Sequence, residues 1–191
     1  MGIFHMIFEV EKINMPYESF DEQLEDCLNV LDLYLQYASW FQNKEMNGMI
    51  EEKVGVDVKS AWEYFIHRIP EKIENQDNLL YLIFHQLYQN TFQRLCFLLG
   101  LGIRIDCKYE RIMSRLEMCE EEKIPTLGSV FQLVSATEKA SLVEVLTLPQ
   151  LGLYWDFIFE SKDRGLSTRL KIRESVYFAM LGKGMMLKTI I

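Results

Sequence analysis

Three histidines, four cysteines and a dense run of carboxylates are the residues whose types could do chemistry in this chain of 191 residues. The histidines are His5, His67 and His85. A zinc-hydrolase helix carries H-E-x-x-H, and none of the three has a second His four residues away. A di-iron bundle needs two Glu-x-x-His motifs on separate helices, and the chain has none. Glu63 and His67 stand at i, i+4, a spacing that a surface ion pair on one helix face explains. Leu99-Gly100-Leu101-Gly102 and Leu181-Gly182-Lys183-Gly184 lack the spacing of a phosphate-cradling loop, and no G-x-S-x-G elbow occurs. No catalytic residue, metal ligand or cofactor is assigned on these grounds.

The positive signal is electrostatic. No basic residue lies between Lys12 and Lys44, whereas Glu18, Asp21, Glu22, Glu25, Asp26 and Asp32 all do. Asp21 with Glu25, and Glu22 with Asp26, are like-charge pairs at helical spacing, each destabilising by roughly 0.2–0.5 kcal/mol. Acids in a first turn favour the helix dipole, which offsets part of that cost. The net charge is −8, yet the last thirty-one residues carry seven basic groups against two acids. Two outcomes follow. Arg169, Lys171 and Arg173 of the tail neutralise the acidic helix within the fold, or Asp21, Glu22, Glu25, Asp26 and Asp32 face a cationic partner. An acidic chain without a basic patch is not expected to bind nucleic acid.

The cysteines, Cys27, Cys96, Cys107 and Cys119, contain no C-x-x-C pair, and three fall at apolar positions of helical patterns. Buried thiols in a reducing compartment, the cytoplasm, are the expectation. The start has no basic n-region, so a secretory signal is not expected. The longest apolar tract, Leu79 to Ile103, is interrupted by His85, Gln86, Gln89, Asn90, Gln93 and Arg94, too many polar groups for a transmembrane segment.

The elements that would position these residues are helical. Apolar residues make up 49% of the chain, with only 10 Gly and 4 Pro, which disfavours a turn-dense β architecture. Phe8 and Val10 alternate with Glu9 and Glu11, predicting an extended lead-in over residues 1–15. Ser19-x-x-Glu22 has capping-box spacing, and Phe20, Leu24, Cys27, Leu28, Leu31, Leu35 and Ala38 form one apolar stripe behind it. A second helix is expected from Asp57 to Pro70. A third, central one is expected from Asp77, through Leu87, Leu95 and Leu99, to a glycine cap at Gly100 and Gly102. Further starts are read at Asp106, at Ser135-x-x-Glu138 and at Ser167, the last opening a basic C-terminal helix and tail over 167–191. The expectation is a single-domain all-α bundle of about seven helices.

In composition and fold class the chain resembles small acidic helical immunity and inhibitor proteins that block a basic toxin or nuclease. That resemblance implies a non-enzymatic protein whose acidic face meets a basic protein partner. Two alternatives stand beside it: a helical enzyme with a scattered carboxylate and Tyr pocket, and a membrane-surface adaptor using the tail. In the tail, Met185, Met186, Leu187, Ile190 and Ile191 accompany Lys183 and Lys188, a composition that also suits self-association.

Overall fold

The computed structural model describes residues 8–42, 48–69, 79–87, 90–116, 124–137, 151–160 and 165–181. The chain folds as a single all-α domain. A 3-10 turn at Val10–Lys12 leads into α1 (Phe20–Gln42) and α2 (Gly48–Arg68). A short α3 (Leu79–Tyr81) continues directly as a π segment (Leu82–Leu87). Then come α4 (Thr91–Ile105), α5 (Lys108–Arg115), α6 (Leu127–Thr137), α7 (Leu151–Ile158) and α8 (Glu174–Met180). Among the described residues there is no strand, only the isolated antiparallel bridges Thr126–Arg169 and Phe159–Ile172.

The Ser19 cap forms as its spacing predicts on one side and differs on the other. The Glu22 amide donates to Ser19 Oγ at 3.2 Å, while the Glu22 carboxylate accepts from the Glu18 amide at 3.0 Å, one residue further out. The helix this opens is the hub of the molecule, packing against α2, α4 and α6. Its predicted stripe is buried at Cys27, Leu31, Leu35 and Ala38, but Val30, Leu33, Tyr34 and Tyr37 are buried too, so the helix is covered on more than one side. Each fully buried side chain of this size contributes roughly 1.5–3 kcal/mol of transfer free energy.

The central helix holding Leu95 and Leu99 is present, and both residues are fully buried. It is shorter than its pattern suggests. Instead of running unbroken from Asp77, the chain restarts at Asn90, whose side chain accepts from the Gln93 amide at 2.9 Å and caps α4. Gly100 and Gly102 are not a cap. They lie inside α4, where an added Cβ on Gly100 would stand 2.8 Å from the Leu170 carbonyl and one on Gly102 would stand 2.8 Å from Leu31. Glycine is there to let another chain segment approach the helix.

That segment also corrects the reading of Ser167. Residues 165–168 close a turn, with the Thr168 amide donating to the Gly165 carbonyl at 2.9 Å, and 168–173 run without helix. The Leu127 and Gly128 amides donate to the Thr168 and Leu166 carbonyls, Leu170 donates to the Pro125 carbonyl, and Glu160 donates to the Lys171 carbonyl, all at 2.8–2.9 Å. With its backbone committed to the start of α6 and the end of α7, the segment cannot coil, and α8 begins only at Glu174. Ser135 is not an N-cap: it is itself helical, exposed in the last turn of α6, which starts from a reciprocal Thr126–Ser129 cap, and residues 138–150 lie outside those described. Of the lead-in, residues 1–7 lie outside those described, and Val10–Lys12 form a 3-10 turn where alternation predicts extension. The side chain of Leu87, the stretch of Leu142, Val143, Val145 and Leu146, Cys119, and tail residues 182–191 lie outside what the structure describes.

Candidate functional site

The α1–α2 interface is antiparallel and stitched by polar contacts along its length. Tyr37 Oη donates to Asp57 at 2.5 Å, Trp62 Nε1 donates to Tyr34 Oη at 2.9 Å, and Arg68 closes the far end. Arg68 is buried, with a side chain only 2% exposed. Its guanidinium donates to Glu22 at 2.7 Å, to Asp26 at 3.0 Å, to Tyr64 Oη at 2.8 Å and to the Met15 carbonyl at 2.9 Å. The Tyr17 ring lies 4.0 Å from its central carbon, so a cation–π contact completes the cage. Tyr17 Oη also donates to Asp26 at 3.0 Å, and Tyr64 Oη donates to the Glu9 carbonyl at 3.0 Å. One arginine therefore ties the lead-in, α1 and α2 together.

This cage divides the acidic helix. Asp26 is buried; burial pushes its carboxyl above the ordinary 3.8, opposed by the donors Tyr17, Asn29 and Arg68. Glu22 is held below its ordinary 4.5 by the Glu18 amide first and by Arg68 next. Lys12 bridges Glu22 at 3.6 Å and Glu9 at 2.7 Å. Asp32 pairs with Lys108 at 2.9 Å, next to the α1 contact of Tyr109. Asp21 and Glu25 are exposed, as is Glu18, and among the described residues no ion pair or hydrogen bond reaches the three side chains. The structure thus brings Glu22 and Asp26 together on Arg68, holds Asp32 apart on Lys108, and leaves Asp21 and Glu25 in solvent.

The cations on Glu22, Asp26 and Asp32 are Lys12, Arg68 and Lys108, and two of the three tail cations are engaged elsewhere. Lys171 pairs with Glu160 at 2.8 Å, and Arg173 Nε donates to the Asp156 carbonyl at 2.8 Å. Arg68 was legible in principle. It stands three residues after Phe65 and seven after Ala61, on the apolar stripe of α2, where a charge requires a buried partner.

A second feature is a groove of about 730 Å³ between α2, the π segment and the start of α4. His85 lies on its wall, with Nε2 3.2 Å from the Ile66 carbonyl and its ring stacked on Tyr81 at 4.4 Å. Burial pushes this imidazole below its ordinary 6.5. His67 and Glu63 also line the groove; both are exposed, and Glu63 meets Lys59 at 3.7 Å. Among the described residues no group of His, Cys, Asp and Glu could hold a metal ion, and no helix is long and apolar enough to cross a membrane. Cys27 and Cys96 are buried, burial raising both thiols, whereas Cys107 is exposed; all three are free. No protein-family model matches the chain, and no curated protein or solved structure matches it.

Proposed function

We propose that this protein is a non-catalytic binding protein that docks a basic partner through Glu18, Asp21 and Glu25, in the manner of an inhibitor or immunity protein. One observation carries the proposal: these three carboxylates are exposed and, among the described residues, unpaired, beside an arginine that neutralises their neighbours. Glu22 and Asp26 spend their charge on the fold and hold α1 rigid, which spares the docking face an ordering cost. Exposed like charges on a rigid helix steer a cationic surface and set the association rate. Three free thiols suit a reducing compartment, so the cytoplasm is the proposed location.

The test is chemical cross-linking in the source cells, with wild type and a Glu18→Lys/Glu25→Lys variant. A basic protein captured in one-to-one ratio by wild type and lost from the variant, with unchanged melting, supports the proposal. A partner retained equally by both chains, or none retained by wild type, overturns it.

A further inference from the structure

Among the described residues three large hydrophobic side chains are exposed, and one of them, Met15, stands beside the acidic face with 57% of its surface in solvent. Pro16, next to it, is exposed as well. Three residues of chain join Met15 to Glu18, so their α-carbons are at most about 11 Å apart.

The backbone that presents Met15 is fixed on both sides. Its amide donates to the Lys12 carbonyl at 2.8 Å, and its carbonyl accepts from Arg68 Nε at 2.9 Å. Pro16 locks the next φ and restricts Met15 to extended conformations. Tyr17 then anchors the chain, with its hydroxyl on Asp26 and its ring against the Arg68 guanidinium. An apolar side chain held out on an ordered backbone loses little entropy on docking, and such anchors carry most of the energy of an interface. Methionine suits the part, because its unbranched thioether adapts to irregular apolar surfaces.

The charge around this anchor has one sign. Glu18, Asp21 and Glu25 are exposed, while Lys12 and Arg68 are committed to Glu9, Glu22 and Asp26. We propose that Met15 is the apolar anchor of the docking face, and that the partner presents a basic amphipathic segment. Its apolar side covers Met15 and Pro16, and its flanking Lys or Arg residues meet Glu18, Asp21 and Glu25. This inference rests on the acidic-face reading and adds a short-range contact, which sets the dissociation rate where charge sets the association rate.

The probes are a short amphipathic peptide of Leu and Lys and an oligolysine of the same charge, each titrated into the full chain by calorimetry. Wild type should bind the Leu–Lys peptide at least tenfold more tightly than oligolysine, since burying one Met side chain is worth that much. Met15→Ser, altered at an exposed side chain, should melt as wild type, bind the Leu–Lys peptide at least tenfold more weakly, and bind oligolysine unchanged. In a titration of methyl-labelled methionine followed by nuclear magnetic resonance, the Met15 signal should shift most. Equal affinity of wild type for the two peptides, unaltered affinity in Met15→Ser, or an unmoved Met15 signal would overturn the anchor. The acidic face would still stand if Glu18→Lys/Glu25→Lys weakened both peptides. Undiminished binding of both peptides by that charge variant, or binding of neither by wild type, would overturn the face and the anchor together.

Discussion

Replacing Arg68 by Met should be among the most damaging single changes at the α1–α2 interface. The substitution keeps an unbranched apolar side chain but removes the guanidinium that lies over the Tyr17 and Tyr64 rings and donates to Glu22, Asp26, Tyr64 and the Met15 carbonyl. Glu22, with a side chain 24% exposed, can rehydrate and recover most of its loss. Asp26 cannot: its side chain is 13% exposed, and an uncompensated carboxylate in that position dominates the cost. Breaking a buried pair by removing one partner costs about 3–5 kcal/mol. Discounting the Glu22 part leaves about 3 kcal/mol, or a fall in melting temperature of roughly 6–12 °C for a chain of this size. Urea unfolding followed by circular dichroism reads this directly. The cycle with Asp26→Asn sharpens it, because Asp26→Asn should cost much less in the Arg68→Met background than in wild type. A loss below about 1 kcal/mol for Arg68→Met, or additive single changes, would refute a buried, charge-compensating role for Arg68.

Other expectations follow from the same geometry. Glu22 has a depressed folded-state pKa, so it contributes stability that is present above 4.5 and lost as the pH falls below that value. Asp26, raised above 3.8, works in the opposite sense over the same acid range; Glu22→Gln should therefore flatten the acid fall in melting temperature. His85 is depressed below 6.5, so stability should fall as the pH drops from 7.5 to 5.5, and fall less in His85→Gln when both are followed by thermal melts. Gly100→Ala should destabilise by about 1–3 kcal/mol in urea unfolding, since its methyl group would meet a backbone carbonyl at 2.8 Å. Gln93 is buried with neither amide atom bonded, so Gln93→Met should raise stability by about 1 kcal/mol. Under native conditions a thiol reagent should modify Cys107 and spare Cys27 and Cys96, as read by peptide mass spectrometry.

Local rules read from the sequence succeeded where one turn of chain decides the outcome. The Ser19 cap, the apolar stripe of α1 and the burial of Leu95 and Leu99 belong to this class. Thr126-x-x-Ser129 escaped because its third-position partner is Ser where the usual box has Glu or Gln. Gly100 and Gly102 look like helix stops, and only the Leu170 carbonyl, seventy residues on, and the Leu31 side chain, seventy-one residues back, show that they admit close neighbours. The acidic residues were visible as a group, but their division was not. Arg68 reaches Asp26 across 42 residues and Glu22 across 46, and charge spacing along a chain holds no record of such pairing.

The division of α1 into carboxylates that hold the fold and carboxylates left for a partner is tested most directly by comparing two neutralised chains. Asp21→Asn/Glu25→Gln removes the exposed pair, and Glu22→Gln/Asp26→Asn removes the pair on Arg68, each with little change of shape. Thermal melting at pH 7 should place the first within about 0.5 kcal/mol of wild type, since it touches only solvated charge. The second should be lower by about 3 kcal/mol, because Arg68 is then buried without a counter-charge. Equal loss in both chains, or a larger loss in the first, would contradict the division and with it the docking face.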